Sequence, residues 1–347
     1  MLHRFFNRLW YQGHWSAWLF WPLTLLFSGL SRHRRDQYLK GAKPAYRPEL
    51  PVIVVGNVSV GGTGKTPVCI WLIKALQQQG LRPGLVSRGY GGKAPYYPHM
   101  VSETDPASVT GDEPLMIHLR TGAPVVVDPD RSSAVRQLVD SGEVDVIISD
   151  DGLQHYRLSR TIELVVIDGE RGFGSAKLLP MGPLRESVDR LATVDAILVN
   201  GEPVHSSLKT SVCQKNNVFP FTLLPEGWVA LNSESEACLQ NLQQEDQSVV
   251  HAVAGIGNPR RFFDTLTQMG ISHQAHVFPD HYDYTELDLE PFEADIVLTT
   301  EKDAVKLRRF GRLRGGYLPV DAQVRPDLIN VIMSRLDEFQ QHHRHLY

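Results

Sequence analysis

Residues 51–80, PVIVVGNVSVGGTGKTPVCIWLIKALQQQG, limit what this chain can fold into more than any other stretch. PVIVVG is an unbroken apolar run closed by glycine, the pattern of a strand buried on both faces of a parallel sheet. GKTPVCIWLIKALQQQG at 64–80 then reads as a helix, with Pro67 in its first turn and Gly80 as its stop. Gly61, Gly62 and Gly64 lie between the two. Glycines let backbone N–H groups turn toward an anion, and the amino end of a helix adds partial positive charge. The spacing predicts a nucleotide-phosphate loop over Ser59, Val60, Gly61, Gly62, Thr63, Gly64, Lys65 and Thr66. Lys65 is placed to reach the β/γ oxygens and the Thr66 hydroxyl to bind Mg²⁺. The strict pattern GxxxxGK followed by Ser or Thr asks for glycine where this chain has Ser59, and an ordinary glycine-rich βα turn is the competing reading.

A phosphate loop needs a carboxylate at the end of a neighbouring strand. VDVIISDD at 144–151 supplies Asp150 and Asp151 at the carboxyl end of an apolar run, where open α/β sheets place their ligands. Gln154 and His155 follow closely enough to line the same crevice. Further strand candidates at Gly84–Ser87, Pro124–Val127, Glu163–Ile167 and Ala196–Val199 alternate with helical stretches at Glu113–Arg120 and Ser132–Ser141. The alternation predicts an α/β chain with a doubly wound, mostly parallel sheet. The polar stretch 211–248, with strand candidates Phe219–Leu223 and Trp228–Leu231, reads as a connector, a β-ribbon. A second, smaller α/β domain is expected over 249–325 and a terminal helix over 326–347, beside a nucleotide-binding domain over 36–210. His342, His343 and His345 read as a solvated tail rather than a metal tract.

The first 35 residues are unlike the rest. WSAWLFWPLTLLFSGL at 15–30 is sixteen residues without a charge and with three tryptophans. A helix of that length spans ~24 Å, short of a ~30 Å bilayer core. Arg4 and Arg8 precede it and Arg32, Arg34 and Arg35 follow, so both ends carry the charge that marks the cytoplasmic side. The pattern predicts a helix or helical hairpin lying in the inner leaflet, with a buried core helix or a signal peptide as the rivals. Over the whole chain 35 Lys and Arg face 39 Asp and Glu, a formal net charge of −4, so a nucleic-acid partner is not expected. Three separated cysteines, Cys69, Cys213 and Cys238, give no disulfide framework or metal knuckle and suit a reducing compartment.

Several loops after apolar runs are dense in glycine and charge: SRGYGG at 87–92, GDEP at 111–114, DPDR at 128–131 and GPLRE at 182–186. Together they are expected to bring Arg88, Asp112, Arg131, Arg185 and Glu186 to one rim, arginines for phosphate forks and carboxylates for base or metal roles. Toward the carboxyl end AGIGNPRRFF (254–263), FPDHY (278–282) and TTEKDAVK (299–306) continue the series. In this order, with GNVSVGGTGKTP and SDDGLQH, they resemble the tetraacyldisaccharide 4′-kinase family, the inner-membrane lipid A kinases of Gram-negative bacteria. The resemblance covers nearly the whole chain, and Ser59 is the family's own variant of the loop. It implies transfer of the ATP γ-phosphoryl group to the 4′-hydroxyl of a tetraacylated, 1-phosphorylated glucosamine disaccharide, giving lipid IV-A. By motif, Lys65 stabilises phosphate charge, and Thr66, Asp151 and Glu186 serve Mg²⁺. Asp112 is implied as the base, with His281 pairing to it from the second domain. Tyr90, Arg131, Asp150, Gln154, His155 and Arg185 are implied to line the site. The partners implied are the acylated lipid and the cytoplasmic face of the inner membrane, with no obligate protein partner. A membrane-recruited P-loop ATPase switch is the alternative.

Overall fold

A computed structural model describes residues 2–212, 215–236, 239 and 249–344. Its strands are β1 (Val52–Gly56), β2 (Pro83–Ser87), β3 (His99–Met100), β4 (Val125–Val127), β5 (Val146–Asp150), β6 (Ile162–Asp168), β7 (Ala196–Asn200), β8 (Val218–Pro225), β9 (Val229–Ala230), β10 (Val250–Ala254), β11 (Gln274–Val277), β12 (Ile296–Thr300), β13 (Arg314–Leu318) and β14 (Val320–Val324). The chain forms two compact units: Met1–Arg88, Asp128–Leu223 and Ala322–Tyr347 make the first, Gly89–Val127 and Leu224–Asp321 the second.

In the first unit the parallel strands run in the order β8-β7-β6-β1-β5-β2. Strand β1 is flanked by β5 on one side and β6 on the other, so the winding reverses at β1. Its carboxyl end is therefore the switch point at which such sheets bind ligands. Every residue of β1 and β5 is buried, which explains why both read as continuous apolar runs. The helix Lys65–Gln78 packs on β1, β2 and β5 and buries Val68, Cys69, Ile70, Leu72, Ile73 and Leu76. Asp150 pairs in register with Val55, which sets the Asp150–Asp151 end of β5 level with the start of the glycine loop.

The amino-terminal segment folds as a helix Leu2–Tyr11, a 3-10 turn Trp15–Phe20 and a helix Trp21–Leu39. Pro22 stands in the first turn of that helix, where its missing N–H costs nothing, and the helix runs four residues past the expected 35. One side is anchored. Leu9, Ala17 and Met181 form a buried cluster with Phe6, Trp10 and Phe20 against it, Trp10 Nε1 donates to Pro180 O at 2.9 Å, and Met181 N donates to Thr24 Oγ1. The other side presents Trp15, Trp18, Leu19, Leu23, Leu25 and Leu26 to solvent.

The second unit holds the parallel strands β11-β10-β12-β13, with β9 antiparallel on β13. Apolar clusters around Leu266 and Leu298 and around Tyr284 and Leu307 form its core. Residues 89–127 belong here, so the expected domain over 36–210 is interrupted. The reason is packing: helix Asp112–Thr121 lies against helix Glu301–Leu307. The expected ribbon between Phe219–Leu223 and Trp228–Leu231 is absent, because β8 extends the first sheet beside β7 while β9 joins β13. Cys213, Cys238 and His345 lie outside the described residues. The terminal helix Asp327–Arg344 continues through His342, whose Nδ1 lies 2.9 Å from Glu338 O, so the expected tail is helical to that point.

Candidate active site

The glycine loop is built by backbone geometry. Gly61 and Gly64 take φ of 106° and 95°, a region closed to most side chains, and Gly64 directly precedes the helix that begins at Lys65. The loop's outer edge pairs with the GPLRE segment: Val60 N donates to Pro183 O at 2.9 Å, and Arg185 N to Val58 O at 2.7 Å. That pairing carries Arg185 and Glu186 to the loop from over 120 residues away. Asn200 Nδ2 donates to Thr63 O from the end of β7. Thr63 Oγ1 and Asn57 Oδ1 are buried here without a hydrogen-bond partner among the described residues.

Asp151 organises the charges around the loop. Lys65 Nζ lies 3.6 Å from its Oδ1, and Arg185 Nη1 donates to both of its oxygens at 3.1 and 2.9 Å. Burial pushes the Asp151 carboxyl up, but Lys65 and Arg185, with Arg131 behind them, outweigh it and hold the group down to about 2. Its φ is 47°, a left-handed backbone that costs on the order of 1–3 kcal/mol for such a residue. Asp150 is turned inward, accepting from Ser87 Oγ at 3.3 Å with Cys69 Sγ at 3.8 Å. Arg131, also buried, donates to the backbone oxygens of both aspartates at 3.1 and 3.0 Å.

Gln154 Nε2 donates to Asn57 O at 3.1 Å and lies 3.5 Å from Glu186 Oε2. The Glu186 carboxylate also accepts from the Tyr156 hydroxyl and stands 3.7 Å from Arg190 Nε. Burial and the charge of Glu186 push the Tyr156 hydroxyl up to about 12. Burial, with the charge of Arg131, lowers His155 to about 4, so its ring is neutral at physiological pH. Among the described residues no three His, Cys, Asp or Glu side chains gather closely enough to hold a metal ion alone.

In the second unit Asp112 begins its helix 4% exposed. His281 Nδ1 lies 3.0 Å from both of its oxygens. The pairing expected between Asp112 and His281 is thus present, but inside one unit rather than between two. Burial pushes Asp112 up; the hydrogen bond from His281 and the charges of Lys302 and Lys306 outweigh it and hold the carboxyl below its ordinary range. The bond to Asp112 lifts His281 above its ordinary value, against burial and the charge of Lys302. His281 has φ 58°; with Asp151 and Ala176 it completes the set of non-glycine residues at positive φ among those described. Gly111 takes φ 88° and lies so close to the loop before it that a Cβ would stand 2.8 Å from Tyr90 O. The Tyr90 ring, exposed, meets the His281 ring edge-on with centroids 5.0 Å apart. A cleft of about 340 Å³ opens beside the pair, lined by Asp112, His281, Tyr282, Ser108, Lys306 and Arg309 among others.

The model of the family described as tetraacyldisaccharide-1-P 4'-kinase matches residues 16–337. The chain belongs to that family. The matched span contains every site residue described above. The tetraacyldisaccharide 4'-kinase of Photobacterium profundum is 46% identical over 321 residues, 92% of this chain and 89% of its own length. That of Aeromonas hydrophila is 47% identical over 333 residues, 95% of each chain. The crystal structure of the "apo" form of LpxK from Aquifex aeolicus in complex with ATP is 28% identical, with a TM-score of 0.75, covering 92% of this chain and 99% of that one.

Lys302, Lys306 and Glu113 stand beside the Asp112–His281 pair and Tyr156 beside Glu186, at positions no residue pattern marks as functional. Lys302 and Lys306 stand four apart in TTEKDAVK and so share a helix face, the one local sign that both reach the same place. Thr300 Oγ1 accepts from Asp303 N at 3.2 Å and caps the helix that carries both lysines.

Proposed function

We propose that this chain transfers the γ-phosphoryl group of ATP to the 4′-hydroxyl of a tetraacylated glucosamine disaccharide 1-phosphate, giving the 4′-phosphorylated lipid IV-A and ADP. The observation that carries the reading is the Lys65–Asp151–Arg185 cluster at the switch point of a phosphate-loop sheet, in a chain of this family. Phosphoryl transfer depends chiefly on positioning and charge neutralisation, and these groups supply both. Backbone N–H groups of 60–66 cradle the phosphates, and Lys65 and Arg185 neutralise the charge on the transferred group. The bond from the β,γ-bridging oxygen to Pγ breaks as the bond from the sugar O4′ forms. The hydroxyl proton passes to Asp112, paired with His281, whose raised affinity for a proton suits a group that shares it.

The residues present fit Mg²⁺. A protein holds this ion through one or two carboxylates and a hydroxyl, with nucleotide oxygens and water completing the octahedron, so a three-carboxylate cage is not required. Thr66, Asp151 and Glu186 would hold it, and the ion would supply charge neutralisation at the β and γ oxygens. In purified form with γ-labelled ATP, Mg²⁺ and the tetraacyl disaccharide 1-phosphate in detergent micelles, we expect label at the 4′ position. Lys65→Ala is expected to lower that transfer roughly 10²–10³-fold. Free phosphate released at one rate with or without the lipid would replace this reading with the ATPase switch.

We infer further that the amino-terminal segment lies on the cytoplasmic face of an inner membrane. Trp15, Trp18 and Leu19 are 71%, 64% and 70% exposed, on a surface flanked by Arg8, Arg32 and Arg34. Among the described residues no helix is long and apolar enough to cross a membrane. Tryptophan at headgroup depth and arginine on anionic lipid match an interfacial helix. Sedimentation with phosphatidylglycerol-containing vesicles checks this: Trp18→Ser with Leu19→Ser should weaken binding about tenfold or more, and unchanged sedimentation would exclude the segment as the anchor.

A further inference from the structure

Lys302 is the second residue of the helix Glu301–Leu307 of the second unit, and its ammonium is surrounded by the groups on which the acid–base pair depends. Nζ lies 3.0 Å from Glu113 Oε1, 3.3 Å from Asp280 Oδ1, 3.3 Å from His281 Nε2 and 3.9 Å from Asp112 Oδ2. The next residue pins the backbone that carries it. Asp303, fully buried, accepts from Gly255 N at 2.9 Å, from the Tyr284 hydroxyl at 3.0 Å and from Thr300 Oγ1 at 2.7 Å. Lys302 is therefore held from both ends, by Asp303 at its backbone and by two carboxylates at its tip.

An ammonium can only donate, and a carboxylate can only accept. His281 faces a carboxylate with Nδ1 and an ammonium with Nε2. We infer that Lys302 is a positioning residue of the Asp112–His281 pair: by donating to Nε2 it fixes the neutral imidazole with its proton on Nδ1, directed at Asp112. The inference rests on the kinase reading for its meaning in catalysis, though not for the tautomer itself. The groups facing His281 are Asp112 from helix Asp112–Thr121, Lys302 from helix Glu301–Leu307, Asp280 beside it in its own loop, with Oδ1 3.9 Å from Nε2, and the Tyr90 ring. Asp112 also faces Lys306 Nζ at 3.9 Å. Lys302 offsets the pull of the two aspartates on the imidazole, and it strengthens the ionised form of Asp112.

Selective ¹⁵N-histidine NMR of the full chain reads the tautomer with no substitution: above its titration, His281 should show a protonated Nδ1 and an unprotonated Nε2. In Lys302→Met the His281 titration and the acid limb of the pH–rate profile should both move up by about one unit, a tenfold gain in proton affinity. KM for ATP should hold, and Lys302→Arg should restore the limb, which a merely structural role for Lys302 does not predict. Lys302→Gln serves as the second variant if the methionine form folds poorly. A proton on Nε2 in the wild type, or an unmoved titration in a folded variant, overturns the inference. If the wild type transfers no phosphate, the kinase reading fails while the NMR titration still decides the role of Lys302.

Discussion

Around the loop 57–64 the arrangement is set by the backbone: glycines at φ 106° and 95° turn the chain, and one strand end carries Asp150 and Asp151 beside it. Around Asp112 it is set by side chains from three separate segments: carboxylates from a helix start meet cationic and imidazole groups from the loop after β11 and the helix after β12. Lys302 and Glu113 meet across 189 residues of chain, whereas Gly61, Gly64, Lys65 and Thr66 lie within one turn of loop and helix. The first arrangement is fixed by local backbone geometry and tolerates Ser59 in place of glycine, because the remaining glycines still turn the chain. The second is fixed by charge balance. Asp112 and Glu113 on one side meet His281, Lys302 and Lys306 on the other, and removing one partner leaves another buried and uncompensated. A phosphate cradle holds a charge that is already present, whereas a proton acceptor must change its charge, and that requires neighbours able to absorb the change.

If the two regions do different work, variants in each should separate binding from turnover. Asp112→Asn keeps the shape of the side chain and removes its capacity as a base. We expect single-turnover transfer to fall about 10²–10⁴-fold while the Kd for ATP stays within a factor of two of wild type. Calorimetric titration of ATP beside quenched-flow transfer checks both. An equal loss of ATP affinity would merge the two regions into one binding surface and remove Asp112 as the base.

The same contrast explains what could be read from the residues alone. The strand–loop–helix at 51–80, the Asp150–Asp151 strand end and the alternation that makes the sheet mostly parallel follow from short-range patterns: an apolar run, glycines, a helix start. The placement of 89–127 with the second unit does not, because its helix Asp112–Thr121 is an ordinary amphipathic stretch and only its packing partner, helix Glu301–Leu307, decides where it belongs. The connector fails for a related reason. Phe219–Leu223 and Trp228–Leu231 are adjacent in sequence, which suggests a ribbon, but β8 finds an open edge at β7 and β9 finds one at β13. Asp112 and His281 are legible only through the whole-chain motif resemblance; the lysines that complete their surroundings are not, because a lysine in the first turns of a helix has no chemistry of its own until a distant carboxylate meets it.

The smallest effect expected is also the sharpest comparison, because each unit holds one half-buried candidate histidine and the two are shifted in opposite directions. His281 is raised above its unfolded value of about 6.5, so the stability it contributes is fully present below that pH and is lost as pH rises through its folded value. His155 is lowered to about 4, so between pH 6.5 and 4 the unfolded chain binds the proton that the folded chain refuses, and stability falls as pH falls. His281→Gln should therefore cost most at pH 5 and progressively less toward pH 9. His155→Gln should gain on the wild type as pH is lowered from 7 to 5. Thermal melting at pH 5, 7 and 9 reads both, with changes on the order of 2 °C for chains of this size. If both variants shift the same way with pH, the two histidines do not sit in electrostatically opposed surroundings, and the division between a cradle that fixes charge and a pair that exchanges it fails at the residues chosen to mark it.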